Sequence, residues 1–213
     1  MPLKKIVVIG PESTGKSTLC EGLAGHFRRA YASDWVPEYA REYLQLHGMA
    51  YTYEDLTTIA RGQLALEDSH AAALEDSHAA ALEDSHAAAL AERGAKHRAQ
   101  RGAQQRNGLL FIDTDLYVMK VWSEYVFGRC ETWILKEIVQ RKYDGYLLCR
   151  TDLPWATDPL REYPDLETRE RLFHIYKDLL VNQHVPWAEI GGTDDQRLEH
   201  GVEAVERLIS PAG

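Results

Sequence analysis

The stretch GPESTGKS fits the spacing G-x-x-x-x-G-K-[ST] at every fixed position, with Gly10, Gly15, Lys16 and Ser17. Such a loop cradles phosphates. Its two glycines permit a tight backbone course that turns successive N–H groups inward, and a helix starting behind them offers its positive end to an anion. Gly10, Ser13, Thr14, Gly15, Lys16, Ser17 and Thr18 are accordingly the candidate nucleotide-binding residues. Lys16 would reach the β- and γ-phosphates, as a candidate catalytic cation, and the Ser17 hydroxyl would ligate Mg²⁺. ATP and Mg²⁺ are the cofactors this chemistry implies.

A second acidic position follows the apolar run "LLFID", where Asp113 suits the holding of Mg²⁺ and is, with Ser17, the candidate metal ligand. In many hydrolytic ATPases of this class the next residue is Glu, which polarises an attacking water. Here it is Thr114, so that role has no obvious occupant, and no N-K-x-D guanine signature is present. Capping of the turn after the strand is the alternative duty for Asp113 and Asp115.

Transfer of a phosphoryl group to a small molecule needs a carboxylate to orient or deprotonate the acceptor hydroxyl, and cations to neutralise developing charge. Asp34, Glu38, Arg41 and Asp115 are the candidate acceptor residues, with Glu38 and Asp115 as candidate catalytic carboxylates. Glu38 and Arg41 are equally compatible with an i, i+3 surface ion pair. Trp35 and Tyr39 read as packing residues. Further on, "RTDLPWATDPLREYPDLETRER" reads as a mobile lid that offers Arg161, Arg169 and Arg171, with Arg161 the candidate catalytic arginine. "GGTDDQR" places Arg197 where it could stack on the adenine base.

These residues need elements to hold them. "KIVVIG" is a short β-branched run ending in glycine, and Leu19, Leu23 and Phe27 after it recur at helical spacing. A second strand is predicted in "RAYASDWV", stopped by Pro37, and a helix from Glu38 through Leu46. "GLLFID" and "GYLLCR" are continuous apolar runs, as expected of central strands covered on both faces. "LYVMKVWSEYVFG" and "TWILKEIVQRKY" between them predict helices. Leu172, Phe173, Tyr176, Leu179 and Leu180 predict another, "VPWAEIGG" a last strand, and Leu198, Val202, Val205 and Ile209 a closing helix. Strands alternating with helices imply parallel βαβ units. The expected architecture is α/β, a P-loop NTPase fold with a five-stranded parallel sheet, helices on both faces and a helical insertion. Its ligands belong beyond the carboxyl ends of the strands.

At 213 residues the expectation is one domain over residues 1–213, with the insertion at 66–106. The formal charge is −9, yet six acids lie in three copies of the octapeptide LEDSHAAA, and the rest of the chain stands at only −3. No basic face invites nucleic acid, and no segment reaches the ~18 apolar residues of a membrane helix. Only five residues separate Lys5 from Pro11, too short for the core of an export signal, and Cys20, Cys130 and Cys149 suit buried thiols in a reducing compartment. A cytoplasmic protein is predicted.

With the P-loop, "VPEYAREYL", "FIDTDLYVMKVWSEYVFG" and "LLCRTDLPWATDPLRE" in view, the chain resembles the ribosylnicotinamide kinase domain of the NadR type, a P-loop nucleoside kinase-like family. A grouping with AAA-type ATPases is also compatible. The likeness runs from the first strand to the final helix, excluding the repeats. It implies ATP- and Mg²⁺-dependent phosphorylation of the 5′-hydroxyl of nicotinamide riboside in NAD salvage. It also implies Lys16 and Ser17 at the nucleotide, Asp113 near magnesium, and Glu38, Arg41 and Asp115 at the acceptor. The chain has no room for the adenylyltransferase and DNA-binding domains that accompany this kinase in the full-length regulator.

The repeats themselves, Leu66 to Leu90, predict helix, because Ala, Leu and Glu favour it and Thr52 with Asp55 can cap a start near Tyr53. Eight residues advance a helix by about 80° beyond two full turns. Leu66, Leu74, Leu82 and Leu90 therefore spiral around it, with no coiled-coil seam, and His70, His78 and His86 diverge too far for a metal site. Glu67 with His70 is an i, i+3 pair. The insertion is expected to lie outside the core, available to a protein partner or a second copy, and to return through the basic "AERGAKHRAQRGAQQRNG" as a hairpin.

Overall fold

Ile6, Val7, Val8 and Ile9 are all fully buried, as an unbroken β-branched run must be when helices cover both of its faces. They belong to β1 (Leu3–Ile9), the central strand of a five-stranded, all-parallel sheet with order β2-β3-β1-β4-β5. The computed structural model describes residues 3–91 and 107–210, apart from the side chains of 77–91 and of residue 194. The other strands are β2 (Ala32–Val36), β3 (Gly108–Asp113), β4 (Gly145–Cys149) and β5 (Trp187–Ile190). The helices are α1 (Lys16–Phe27), α2 (Tyr39–His47), α3 (Tyr53–Ala91), α4 (Leu116–Phe127), α5 (Thr132–Gln140), α6 (Leu166–Val181) and α7 (Asp194–Ile209). Sheet and helices are as the sequence predicts, and α2 starts one residue later than expected because Glu38 is its N-cap.

One core packs α1 and α7 on a face of the sheet, through Leu19, Leu23, Phe27, Ala204 and Val205. The other face carries α3, α4 and α6, through Ala71, Val118, Val121, Leu172 and Phe173. A third cluster joins α2, α3, α4 and α5 around Leu56, Ile59, Met119 and Ile134. Among the described residues no helix is long and apolar enough to cross a membrane.

Helix α3 begins as predicted, with Thr52 Oγ1 accepting from Asp55 N and Asp55 Oδ2 accepting from Thr52 N at 2.7 Å. It runs 39 residues through all three octapeptides, roughly 58 Å at 1.5 Å per residue. The expectation that the insertion starts at Leu66 and stays outside the core fails for the first copy. Glu67 is fully buried, bonded to Lys5 Nζ at 2.9 Å, Tyr143 Oη at 2.9 Å and Arg141 at 3.2 Å. Ala71 is in the core, Leu66 and Leu74 pack against it, and His70 Nδ1 lies 2.7 Å from Asp34 Oδ2. An 80° advance per copy takes a face off the sheet only after the first copy has used it. The predicted basic return lies in 92–106, outside the described residues, as do the side chains of residues 78 and 86.

Candidate active site

The loop after β1 lies at the carboxyl end of the sheet, where the connection from β1 leads to the β2 side and that from β3 to the β4 side, the kind of switch point at which parallel sheets open a crevice. Gly10 has φ +147, and a Cβ there would stand 2.8 Å from the Cys149 carbonyl oxygen. Gly15 has φ +73 and is the N-cap of α1. Both glycines are thus demanded by backbone course and close approach. Thr14 Oγ1 and Lys16 Nζ each donate to the Pro11 carbonyl, at 2.8 and 3.1 Å, so the lysine lies folded over its own loop.

Ser17 Oγ donates to Asp113 Oδ2 at 2.5 Å, which joins the start of α1 to the end of β3. Asp113 is fully buried, and its carboxyl is pushed up to about 6, first by burial and then by the charge of Glu38. Lys16 and the hydroxyls of Ser17 and Thr114 oppose that shift. A hydroxyl and an electron-rich carboxylate meeting at this distance form a hard-oxygen pair that fits Mg²⁺.

Around them lies a cavity of about 400 Å³, walled by the P-loop, Glu38 and Arg41 of the β2–α2 junction, Asp113, and the lid residues Arg161 and Glu162. Trp35, Trp122, Tyr125, Tyr163 and Tyr176 give it aromatic walls. Arg41 donates to Asp158 Oδ2 at 2.6 Å, which holds it beside the lid. Trp122 Nε1 donates to Tyr51 Oη, which donates in turn to the Glu162 carboxylate at 2.9 Å.

The lid rests on the loop beneath it. Glu12 Oε2 accepts from the backbone N–H groups of Glu162 and Tyr163 at 2.9 and 3.1 Å. Ser13 Oγ accepts from Ala156 N at 2.8 Å and from Arg161 at 3.3 Å. Burial pushes the Glu12 carboxyl up, against the pull of those two N–H donors.

The cavity therefore gathers most of the candidates: the P-loop residues Gly10, Ser13, Thr14, Gly15, Lys16, Ser17 and Thr18, with Glu38, Arg41, Asp113 and Arg161. Three others are elsewhere. Asp34 points to His70 and Arg28 on the flank of the sheet. Asp115 is buried as the N-cap of α4, accepting from Tyr117 N and from Tyr146 Oη at 2.9 Å each, so it faces the sheet instead of the acceptor. Burial pushes its carboxyl up to about 7 against those two bonds. Arg197 is buried, donating to the Ile190 carbonyl and to Asp152, a brace between β5 and the loop after β4 that leaves no open face for stacking.

Of the other lid arginines, Arg169 is spent on the carbonyls of Glu12, Ser13 and Leu153 and supports the P-loop from below. Arg171 lies over the Tyr125 ring at 5.8 Å. Among the described residues no cluster of His, Cys, Asp and Glu forms a separate metal site.

A family model described as an AAA domain matches residues 5–197, which include the whole of this site. The chain belongs to the AAA domain family. Two curated relatives of this AAA domain are the trifunctional NAD biosynthesis/regulator proteins NadR of Salmonella typhimurium and Escherichia coli. They are 23% identical over 212 residues and 22% identical over 208 residues, matching 99% and 97% of the chain. The AAA domain spans less than half of their length, 44% and 43%. Among solved structures it is similar to NadR protein in complex with NR, with a TM-score of 0.65 at 20% identity. It is also similar to NadR protein in complex with NAD and AMP-PNP, with a TM-score of 0.62 at 21% identity. Each covers 97% of this chain and 49% of the other. The fold is that of the NadR-type P-loop domain, in agreement with the resemblance carried by the motifs.

Glu12, Gln63, Tyr51 and Glu162 join the site without any signal in the sequence. Glu12 sits at an unspecified position of the P-loop motif, and the others touch the site through bonds spanning 24 to 150 residues. No local spacing records such partners.

Proposed function

We propose that this AAA domain is an ATP-dependent small-molecule kinase of NAD metabolism that phosphorylates the 5′-hydroxyl of nicotinamide riboside. One observation carries the reading. A P-loop whose Ser17 meets Asp113 opens into the same aromatic-walled cavity as a carboxylate, Glu38, and a lid-held arginine, Arg41. A hydrolytic ATPase needs no such chamber for an organic acceptor. The choice of nicotinamide riboside is supported by the relatives, which are named for NAD biosynthesis, and by a similar structure in complex with NR.

In this reading Gly10 to Thr18 wrap the triphosphate and Lys16 leaves Pro11 for the γ-phosphate. Mg²⁺, when bound by Ser17 and Asp113, would neutralise charge on the phosphate oxygens. Glu38 takes the proton of the 5′-hydroxyl as its oxygen bonds to the γ-phosphorus. The bond from that phosphorus to the β–γ bridging oxygen breaks, giving nicotinamide mononucleotide and ADP. Arg41 and Arg161 balance the charge that spreads over the moving group. The unpaired thiols Cys20, Cys130 and Cys149 favour a cytoplasmic setting.

ATP consumption and mononucleotide formation, measured with and without nicotinamide riboside and against a panel of other nucleosides, test the reading. Turnover stimulated by the riboside is expected. ATP use indifferent to any acceptor would support instead a regulatory ATPase with the repeat helix as its interaction surface. Lys16→Ala is expected to abolish turnover and leave the circular dichroism spectrum unchanged; a variant near the wild-type rate would refute the role given to Lys16.

A further inference from the structure

Gln63 takes no part in the chemistry above, yet it is a polar side chain only 2% exposed at the root of α3. Its Oε1 accepts from Tyr39 N at 2.7 Å. Its Nε2 donates to the carbonyl oxygens of Pro37 and Asp113, at 3.3 and 3.4 Å. One amide therefore grips the backbone on both sides of Glu38 and at Asp113 itself.

The place is built for it. Tyr39 N is among the first N–H groups of α2, which have no partner within the helix and require one outside it. The N-cap residue, Glu38, makes no side-chain capping bond. Gln63 supplies that acceptor from another helix, and the Glu38 carboxylate, which makes no capping bond, lines the cavity. The preceding residue is equally specific: a Cβ on Gly62 would lie 2.0 Å from Cε1 of Tyr39, so α3 is bare where the tyrosine ring crosses it. Two carboxylates of like charge at the ends of β2 and β3 repel, and a tie between those strand ends holds them against that repulsion.

We propose that Gln63 is a positioning residue of the phosphoryl-transfer centre, holding the first N–H of α2 and fixing the Glu38 junction to the Asp113 strand end. The inference rests on the kinase reading for its kinetic consequence and on backbone geometry alone for the clamp. Displacement of a reacting group by about 1 Å costs on the order of 100-fold in rate. Gln63→Met preserves volume and helix propensity while removing all three bonds. Gln63→Glu keeps an acceptor for Tyr39 N and removes both donors. Ile59→Val, a packing change on the same helix, is the control.

Three readouts are used: steady-state kinetics with ATP and nicotinamide riboside, normalised to folded protein, hydrogen exchange at the Tyr39 amide, and AMP-PNP affinity by calorimetry. Gln63→Met is expected to lower kcat about 10- to 100-fold, to hold AMP-PNP affinity within about threefold, and to speed Tyr39 exchange at least about tenfold. Gln63→Glu keeps Tyr39 protected and still loses kcat; should Gln63→Met fail to fold, this variant carries the test. Ile59→Val lowers stability and leaves kcat per folded molecule unchanged. A Gln63→Met protein with kcat within twofold of wild type, or one whose Tyr39 amide stays protected, overturns the clamp. A wild-type protein inert toward the riboside overturns the proposed function, and the exchange measurement still decides the clamp.

Discussion

Glu67 and Glu75 hold the same place in two copies of one octapeptide and have opposite surroundings. The first is fully buried among Lys5, Arg141 and Tyr143, and the second is exposed. Removing one partner of a buried charge cluster leaves the others uncompensated, at a cost of about 3–5 kcal/mol. Glu67→Ala should lose stability on that order in urea unfolding, while Glu75→Ala should stay within about 0.5 kcal/mol of wild type. Equal effects would contradict the assignment of the first copy to the core. Asp115 gives a second prediction, one of pH. Its folded carboxyl titrates at about 7, above its ordinary 3.8, so the fold favours the protonated form. That contribution is whole below about pH 4 and is lost as pH rises to 7. Asp115→Asn abolishes the loss and should stabilise the protein by on the order of 2–4 kcal/mol at pH 8 and by much less at pH 5. Asp113, shifted to about 6, adds a smaller decline of the same sign in both proteins. A gain equal at the two pH values would refute the account. The P-loop residues were legible because their spacing fixes backbone course. The capping duty of Asp115 was legible as an alternative, since Tyr117 N lies two residues on, but its Tyr146 partner and the carbonyls that Arg169 and Arg197 hold were not, because the fold brings them together and no spacing records them.

At the scale of elements, strands β1, β3 and β4 were readable because burial on both faces forces unbroken apolar runs. The lid was readable only as an irregular segment. What composition could not give is its footing, a carboxylate under two backbone N–H groups and a hydroxyl under a third. Those contacts join the lid to the loop that would hold phosphates, so lid order and loop conformation should change together. Glu12→Ala removes two of them. Hydrogen exchange over residues 156–163 should then rise about tenfold or more without ATP, with exchange in β1 and β4 unaltered. A lid as protected as in the wild type would mean that Ser13 and Arg169 suffice to hold it.

The whole molecule sets a P-loop domain beside a helix far longer than the sheet it crosses. Two functions of α3 are separated along its length: Gln63, the first octapeptide and Leu74 at the start of the second pack on the domain, and each further copy turns its face another 80° from there. Deleting one octapeptide should therefore leave riboside-dependent turnover within about twofold and melting temperature nearly unchanged, measured on otherwise identical chains. A folded but inactive deletion would show that the distal helix serves the chemistry. The identity of the copies then acquires a meaning of its own. Because LEDSHAAA is repeated without change from Leu66, removal of any copy yields the same chain, in which a glutamate again stands at position 67. The unit that the core depends on cannot be deleted by losing one repeat, nor displaced by gaining one. Each copy adds about 12 Å and 80°, and while one copy and its closing leucine remain, the residues at the helix's root, Glu67 and Ala71 among them, stay the same.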